Sequence, residues 1–258
     1  MNILVTGGTG ALGREVVKKL RAEGHTARVL SRKPSTEDDW AQGNIATGAG
    51  LVEALIGIDA VVHAATAALQ PWKLRATDVV GTRRVLAMAR AAGVRHAVYV
   101  SIVGMEGVTY PYYKYKVEAE AVVRENIVPW TILRATQFHS LMETFLSAFS
   151  TLPGVAMVPK DWRFQPVDPA DVAERLVGVV TGEPAGLLPD FGGPEARDLG
   201  SLVAPWLAAR QSRKWLVDLK LPFKFGRQFA EGRLLAPDHK DGTTTFEQYL
   251  DKRYPRQT

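Results

Sequence analysis

Two groups of residues in this 258-residue chain carry chemically capable side chains at telling intervals. The first is Thr6-Gly7-Gly8-Thr9-Gly10-Ala11-Leu12-Gly13, which follows the strand-like run Asn2-Ile3-Leu4-Val5 and leads into a stretch with Val16, Val17 and Leu20 at helical spacing. Set between a strand and a helix, Gly-x-Gly-x-x-Gly is an arrangement that receives a pyrophosphate. Gly7 and Gly8 permit the tight turn, Gly10 lets backbone approach the phosphates, and Gly13 lets helix pack closely on strand. Backbone N–H groups and the helix dipole attract the anion, which places Thr9, Ala11 and Leu12 with Gly7, Gly10 and Gly13 among the expected cofactor contacts. The second group, Pro111-Tyr112-Tyr113-Lys114-Tyr115-Lys116, opens a helix that continues through Ala121. Tyr112 and Lys116, four positions apart, share one helix face. A phenol titrating near 10 is a poor acid–base group at neutral pH, but an adjacent ammonium can lower that value by roughly 1–3 units. Tyr113, three residues before Lys116, is the alternative to Tyr112 in that pair.

The elements that must hold these groups are readable from alternation. Strand-like runs fall at Asn2-Val5, Ala27-Leu30, Ala60-His63, His96-Val100 and Trp130-Leu133, separated by amphipathic helices; the first lies after Gly13 and stops near Gly24, and another spans Thr82-Ala92 and stops at Gly93. Repeated strand–helix–strand units with right-handed crossovers give a doubly wound α/β parallel sheet of Rossmann type, with ligands at the carboxyl ends of its strands. Beyond Arg134 the pattern loosens and prolines punctuate short segments. The expectation is one NAD(P)-binding domain over residues 1–258, with 1–134 mainly nucleotide-binding and a small C-terminal substrate-binding portion over 135–258.

The second strand ends in Val29-Leu30-Ser31-Arg32-Lys33, and the nearest acid is Glu37. A carboxylate near this point selects NAD by accepting the ribose hydroxyls and would repel a 2′-phosphate. Ser31, Arg32 and Lys33 instead offer a hydroxyl donor, a forked cation and an ammonium, so NADP(H) is the expected cofactor. Arg14, in the first helical turn, could also reach that phosphate, though an exposed helix arginine is the plainer reading.

The glycine segment also fits Thr-Gly-x-x-Gly-x-x-Gly, and here the chain resembles the short-chain dehydrogenase/reductase superfamily. Gly57-Ile58-Asp59-Ala60-Val61-Val62-His63-Ala64-Ala65 is similar to that superfamily's fourth strand, whose small residues, here Ala64 and Ala65, let the cofactor lie close; Val98-Tyr99-Val100-Ser101 is similar to its fifth. Trp130-Thr131-Ile132-Leu133-Arg134 and Pro166-Val167-Asp168-Pro169-Ala170-Asp171-Val172-Ala173 resemble the atypical, NmrA-like branch, often described as nucleoside-diphosphate-sugar epimerases. The resemblance implies roles for the second group: Tyr112 exchanges a proton with substrate oxygen, Lys116 binds the nicotinamide ribose, and Ser101 holds the substrate oxygen. Asn44 stands where the family usually shows an aspartate near the adenine.

Phe138, Leu141, Met142, Phe145 and Phe149 recur at three- and four-residue spacing, one apolar helical face in the region where this family places its substrate pocket. Phe138, Met142 and Phe145 are the candidate substrate contacts, and such walls suit an apolar carbonyl or quinone-like small molecule. Three readings follow: an NADPH-dependent reductase, a non-catalytic redox sensor or regulator of NmrA type, and a sugar-nucleotide epimerase or dehydratase.

Composition narrows the field. With 46% hydrophobic and 23% charged residues the chain is an ordinary globular protein. The absence of cysteine excludes disulfides, thiolate metal sites and a cysteine nucleophile, and histidines 25, 63, 96, 139 and 239 show no metal-ligand spacing, so no metal is expected. An N-terminus running straight into a strand and no long apolar run point to the cytoplasm, with no membrane partner. The net charge of +5 is small for this length; a phosphorylated cofactor accounts for it without nucleic acid. The densest basic stretch, Arg210 through Arg233, is interleaved with Trp215, Phe223, Phe225 and Phe229, which reads as a solvated face over a small core. An oligomer or protein partner is possible but not indicated.

Overall fold

Strand and helix alternate along the first half of the computed structural model, which describes residues 1–255. The order is β1 (Asn2–Thr6), α1 (Ala11–Ala22), β2 (Thr26–Ser31), β3 (Trp40–Gln42), α2 (Leu51–Leu55), β4 (Ala60–His63), α3 (Thr82–Ala91), β5 (His96–Ile102), α4 (Pro111–Arg124) and β6 (Trp130–Ala135). It continues with α5 (His139–Ala148), β7 (Val155–Val158), β8 (Arg163–Phe164), α6 (Pro169–Val180), β9 (Gly186–Leu187), β10 (Arg197–Asp198), α7 (Leu199–Ala209), β11 (Trp215–Asp218), α8 (Lys224–Ala230) and α9 (Phe246–Arg253). None of the described helices is long and apolar enough to cross a membrane.

The chain divides into two compact units. The first comprises residues 1–101, 110–134 and 172–189 and carries the seven-stranded parallel sheet, ordered β3-β2-β1-β4-β5-β6-β9. Strand β1 pairs with β2 on one side and β4 on the other, so the chain reverses its direction of progress between β1 and β4. That reversal is the switch point at which doubly wound sheets open a crevice at their carboxyl ends. Interior strands are apolar on both faces because helices cover both, and β4 is buried at every position. Leu4, Val61 and Ile132 of the sheet belong to one core with Leu51, Leu86 and Val123 of α2, α3 and α4. Each such side chain contributes about 1.5–3 kcal/mol when fully buried.

The second unit comprises residues 102–109, 135–171 and, of the described residues, 190–255. It holds a parallel pair, β7 with β11, and an antiparallel pair, β8 with β10. Its centre is aromatic: Trp162 meets Phe145, Phe149 and Phe229 edge-on, with ring centroids 6.4, 5.8 and 5.0 Å apart. The Asp168-Pro169-Ala170-Asp171 segment serves structure here. Asp168 accepts the Ala170 N–H at 2.8 Å, and Asp171 accepts the backbone N–H groups of Thr243 and Thr244.

Several boundaries differ from the sequence reading. Helix α1 begins at Ala11 rather than after Gly13, which brings its free N–H groups into the glycine loop itself. Residues Arg75–Gly81, ahead of α3, form a π-helical segment. The short strand β9 completes the sheet.

Candidate active site

The glycine loop is shaped by close approach of backbone. Gly7 has φ +71°, where L side chains are rare, and a Cβ there would stand 2.8 Å from the Ala64 carbonyl group at the end of β4. A Cβ on Gly13 would stand 2.2 Å from the Gly7 carbonyl oxygen. The loop is closed by Gly10 N–H donating to Gly7 at 2.8 Å, and Arg14 N–H donates to Gly10 at 3.1 Å. No side chain caps the N-terminus of α1 and no acid lies in its first turn. Thr9, Gly10 and Ala11 are exposed at the loop tip while Leu12 is buried, so Leu12 faces the core and offers a ligand only main chain. A cradle free of side chains, over an uncapped helix start, fits a dinucleotide pyrophosphate.

At the end of β2, Ser31 Oγ accepts the Lys33 N–H at 3.2 Å, while the Lys33 carbonyl accepts Trp40 Nε1 at 2.8 Å. These bonds fix the turn and leave the Arg32 and Lys33 side chains exposed, with no ion pair to either among the described residues. Glu37, the nearest acid, faces Arg21 at 3.5 Å. The Asn44 amide oxygen accepts its own loop's Ala46 N–H at 3.0 Å.

Helix α4 carries the candidate catalytic pair. Pro111 occupies its first turn, and its buried residues include Tyr113, Lys116, Ala119, Glu120 and Val123, a helical stripe containing two charges. Charges so placed need partners. Lys116 Nζ donates to Tyr99 Oη and to the Val100 carbonyl, both at 2.7 Å, and lies 4.1 Å from the Tyr99 ring centre. Burial pulls its pKa down to about 8, against the opposing pull of Asp78 and Glu120. Glu120 takes the Arg134 fork at 2.8 Å through each oxygen and Arg124 at 3.0 Å, and it accepts the Ser101 hydroxyl. Burial raises its pKa, but these bonds outweigh burial and hold the carboxyl ionised.

Tyr112 and Tyr113 separate clearly. Tyr113 is buried, its ring 6.2 Å from Tyr110 and 5.4 Å from Tyr112. Tyr112 is only partly buried and its hydroxyl lies 3.5 Å from Thr66 Oγ1. Thr66 donates to Asp78 at 2.6 Å, and Asp78 also accepts the Ala67 N–H at 3.0 Å. The expectation that Lys116 lowers the Tyr112 pKa is corrected. Burial of the hydroxyl raises it well above the ordinary phenol value, and the Lys116 ammonium is spent on Tyr99. His63 and His96 pack as buried histidines, His63 between Thr6 at 2.5 Å and Thr82 at 2.9 Å. Burial first, and Lys116 second, bring the His63 pKa down to about 3, so it is neutral at physiological pH.

Sequence reasoning missed Tyr99, Asp78, Thr66 and Glu120. Glu120 was detectable, since it lies four residues past Lys116 on the same stripe. Asp78 was not, because its burial depends on the π-helical segment, a distortion that often marks functional positions.

In the second unit Met142 is fully buried, while Phe138 and Phe145 are half-buried. Phe138 pairs with Val167 through a β-bridge, and Phe145 lies 5.7 Å from Phe164.

The chain is 35% identical over 188 residues to (4-alkanoyl-5-oxo-2,5-dihydrofuran-3-yl)methyl phosphate reductase of Streptomyces griseus, covering 70% of this chain and 63% of that protein. It is 33% identical over 147 residues to photosystem II assembly factor Ycf39 of Synechocystis, covering 54% of this chain and 45% of that one. The chain thus spans less than two thirds of the length of either relative. The NADPH complex of the Escherichia coli quinone oxidoreductase QOR2 superposes with a TM-score of 0.76 at 18% identity, covering 98% of this chain and 99% of that one, which establishes a shared fold. The NAD(P)H-binding family matches residues 7–181, from the glycine loop through α6. Because that match covers more than half of the chain, the chain belongs to the NAD(P)H-binding family.

Proposed function

We propose that the protein is an NADP(H)-dependent reductase of a hydrophobic carbonyl or quinone-like small molecule. The observation that carries this reading is the partly exposed phenol of Tyr112, one helical turn before Lys116 on α4. Gly7, Gly10 and Gly13, with the main chain of Thr9, Ala11 and Leu12, hold the pyrophosphate; Ala64 and Ala65 allow close approach. Ser31, Arg32 and Lys33 receive the 2′-phosphate. Lys116 has three N–H donors and two are engaged within the protein, leaving the third for the nicotinamide ribose.

When bound, the reduced nicotinamide supplies a hydride. Tyr112 Oη delivers the proton to the substrate oxygen, and the resulting phenolate regains a proton from solvent. The raised pKa keeps Tyr112 protonated across the physiological range but makes it a weaker acid, a cost that the basicity of the oxyanion formed as hydride arrives must offset. Ser101 orients the substrate oxygen. Its single hydroxyl proton faces Glu120, so the hydroxyl turns to donate to that oxygen when substrate binds. Phe138 and Phe145 supply apolar surface for the substrate; alanine at either is expected to change relative kcat/KM across a substrate panel.

The test is NADPH oxidation against quinones, aldehydes and ketones. Turnover with at least one class, and weaker use of NADH, is expected. The second reading, a non-catalytic NADP(H)-binding regulator, is favoured by the likeness to proteins named assembly factors. Tight NADPH binding with no turnover across the panel would select it.

A further inference from the structure

Between positions 210 and 230 the chain holds six lysines and arginines and one acid, Asp218, so the rest of the chain, with about as many acids as bases, is neutral and the net charge of +5 resides in this segment. The structure divides the segment's apolar residues. Phe229 is buried and Phe225 packs on Trp162 at 6.2 Å, as expected of a small core. Trp215, Leu216, Val217 and Phe223 remain outside, 81%, 37%, 43% and 52% exposed. Trp215 N–H donates to Gly154 and Lys214 Nζ to the Leu152 carbonyl, which brings Leu152, 53% exposed, to the start of β11. Lys220 is neutralised by Asp161 and Asp218, but Arg213, Lys224 and Arg227 are exposed with no acidic partner among the described residues.

We propose that this basic segment of the second unit, with its exposed apolar side chains, docks on an anionic lipid surface. An aromatic and aliphatic patch combined with unpaired cations is what a negatively charged membrane interface selects: apolar side chains enter the headgroup boundary while lysines and arginines meet the lipid phosphates. A protein partner adding a strand to the free edge of β11 is the weaker match. That strand is four residues long, and charges at Lys214, Asp218 and Lys220 guard its ends.

The test is flotation of the full chain with vesicles of phosphatidylcholine alone and of equal parts phosphatidylcholine and phosphatidylglycerol. Binding to the anionic vesicles, at least roughly tenfold stronger than to neutral ones and weakened by salt, is expected. The pair Trp215→Ala with Phe223→Ala, and separately Arg213→Glu with Lys224→Glu, should each reduce partitioning by about tenfold or more. All four side chains are exposed, and unchanged circular dichroism and NADPH affinity verify the fold of both variants. Absent binding, equal binding to both vesicle types, or variants that bind as well as the parent overturn the proposal. So does concentration-dependent self-association that Trp215→Ala abolishes, which would make the patch an interface between copies.

Discussion

Burial strips solvent from Lys116 and opposes its charge, while Asp78 and Glu120 favour it, leaving a pKa of about 8. The ammonium is therefore lost as pH rises through that value. Cofactor affinity and kcat/KM are expected to fall on the alkaline side of about pH 8, as a pH profile would register. Stability moves the other way. The unfolded lysine titrates near 10.5, so between about 8 and 10.5 the unfolded chain binds more protons than the folded one, and linkage adds stability as pH rises. Denaturant melts across the same range therefore distinguish loss of the ammonium from unfolding. At this scale the sequence showed the pair Tyr112 and Lys116 but left Tyr112 and Tyr113 open, because four tyrosines crowd residues 110–115. Tyr113 is the more buried of the two. Pairing of Lys116 with Tyr99 was illegible, since it depends on β5 passing beside α4.

Elements carry the specificity. The turn after β2 presents Arg32 on a backbone fixed by Ser31, Gln42 and Trp40, with no acid competing for the guanidinium. Charge-assisted hydrogen bonds contribute about 1.5–3 kcal/mol each, so Arg32→Ala should weaken NADPH by tenfold or more and leave NADH nearly unchanged in titration. Glu120 ties α4 to β5 through Ser101 and to β6 through Arg134. Glu120→Ala would strand a largely buried guanidinium, and a loss of about 3–5 kcal/mol is expected in denaturant unfolding. The strands before position 135 were legible because alternating apolar runs and glycine stops are local signals. Strand β9, two residues at a sheet edge, and the π-helical segment before α3 have no local signature and are set by tertiary pairing.

At the scale of the molecule, the sheet order and the switch point beside β1 belong to the first unit, and the NAD(P)H-binding family match begins at its glycine loop. The second unit was read only as proline-punctuated chain with one apolar stripe. Its order comes from long-range aromatic packing around Trp162, which spacing alone does not encode. Tyr112 is the proposed proton donor in an NADPH-dependent reduction. The most direct test of that role is steady-state NADPH oxidation by Tyr112→Phe beside the parent protein, at saturating NADPH and with a substrate the parent reduces. The change removes one hydroxyl and keeps the ring, so NADPH affinity should persist while kcat falls roughly 10²- to 10⁴-fold, whereas Lys116→Ala should damage both. A Tyr112→Phe protein that turns over at the parent rate would contradict the account.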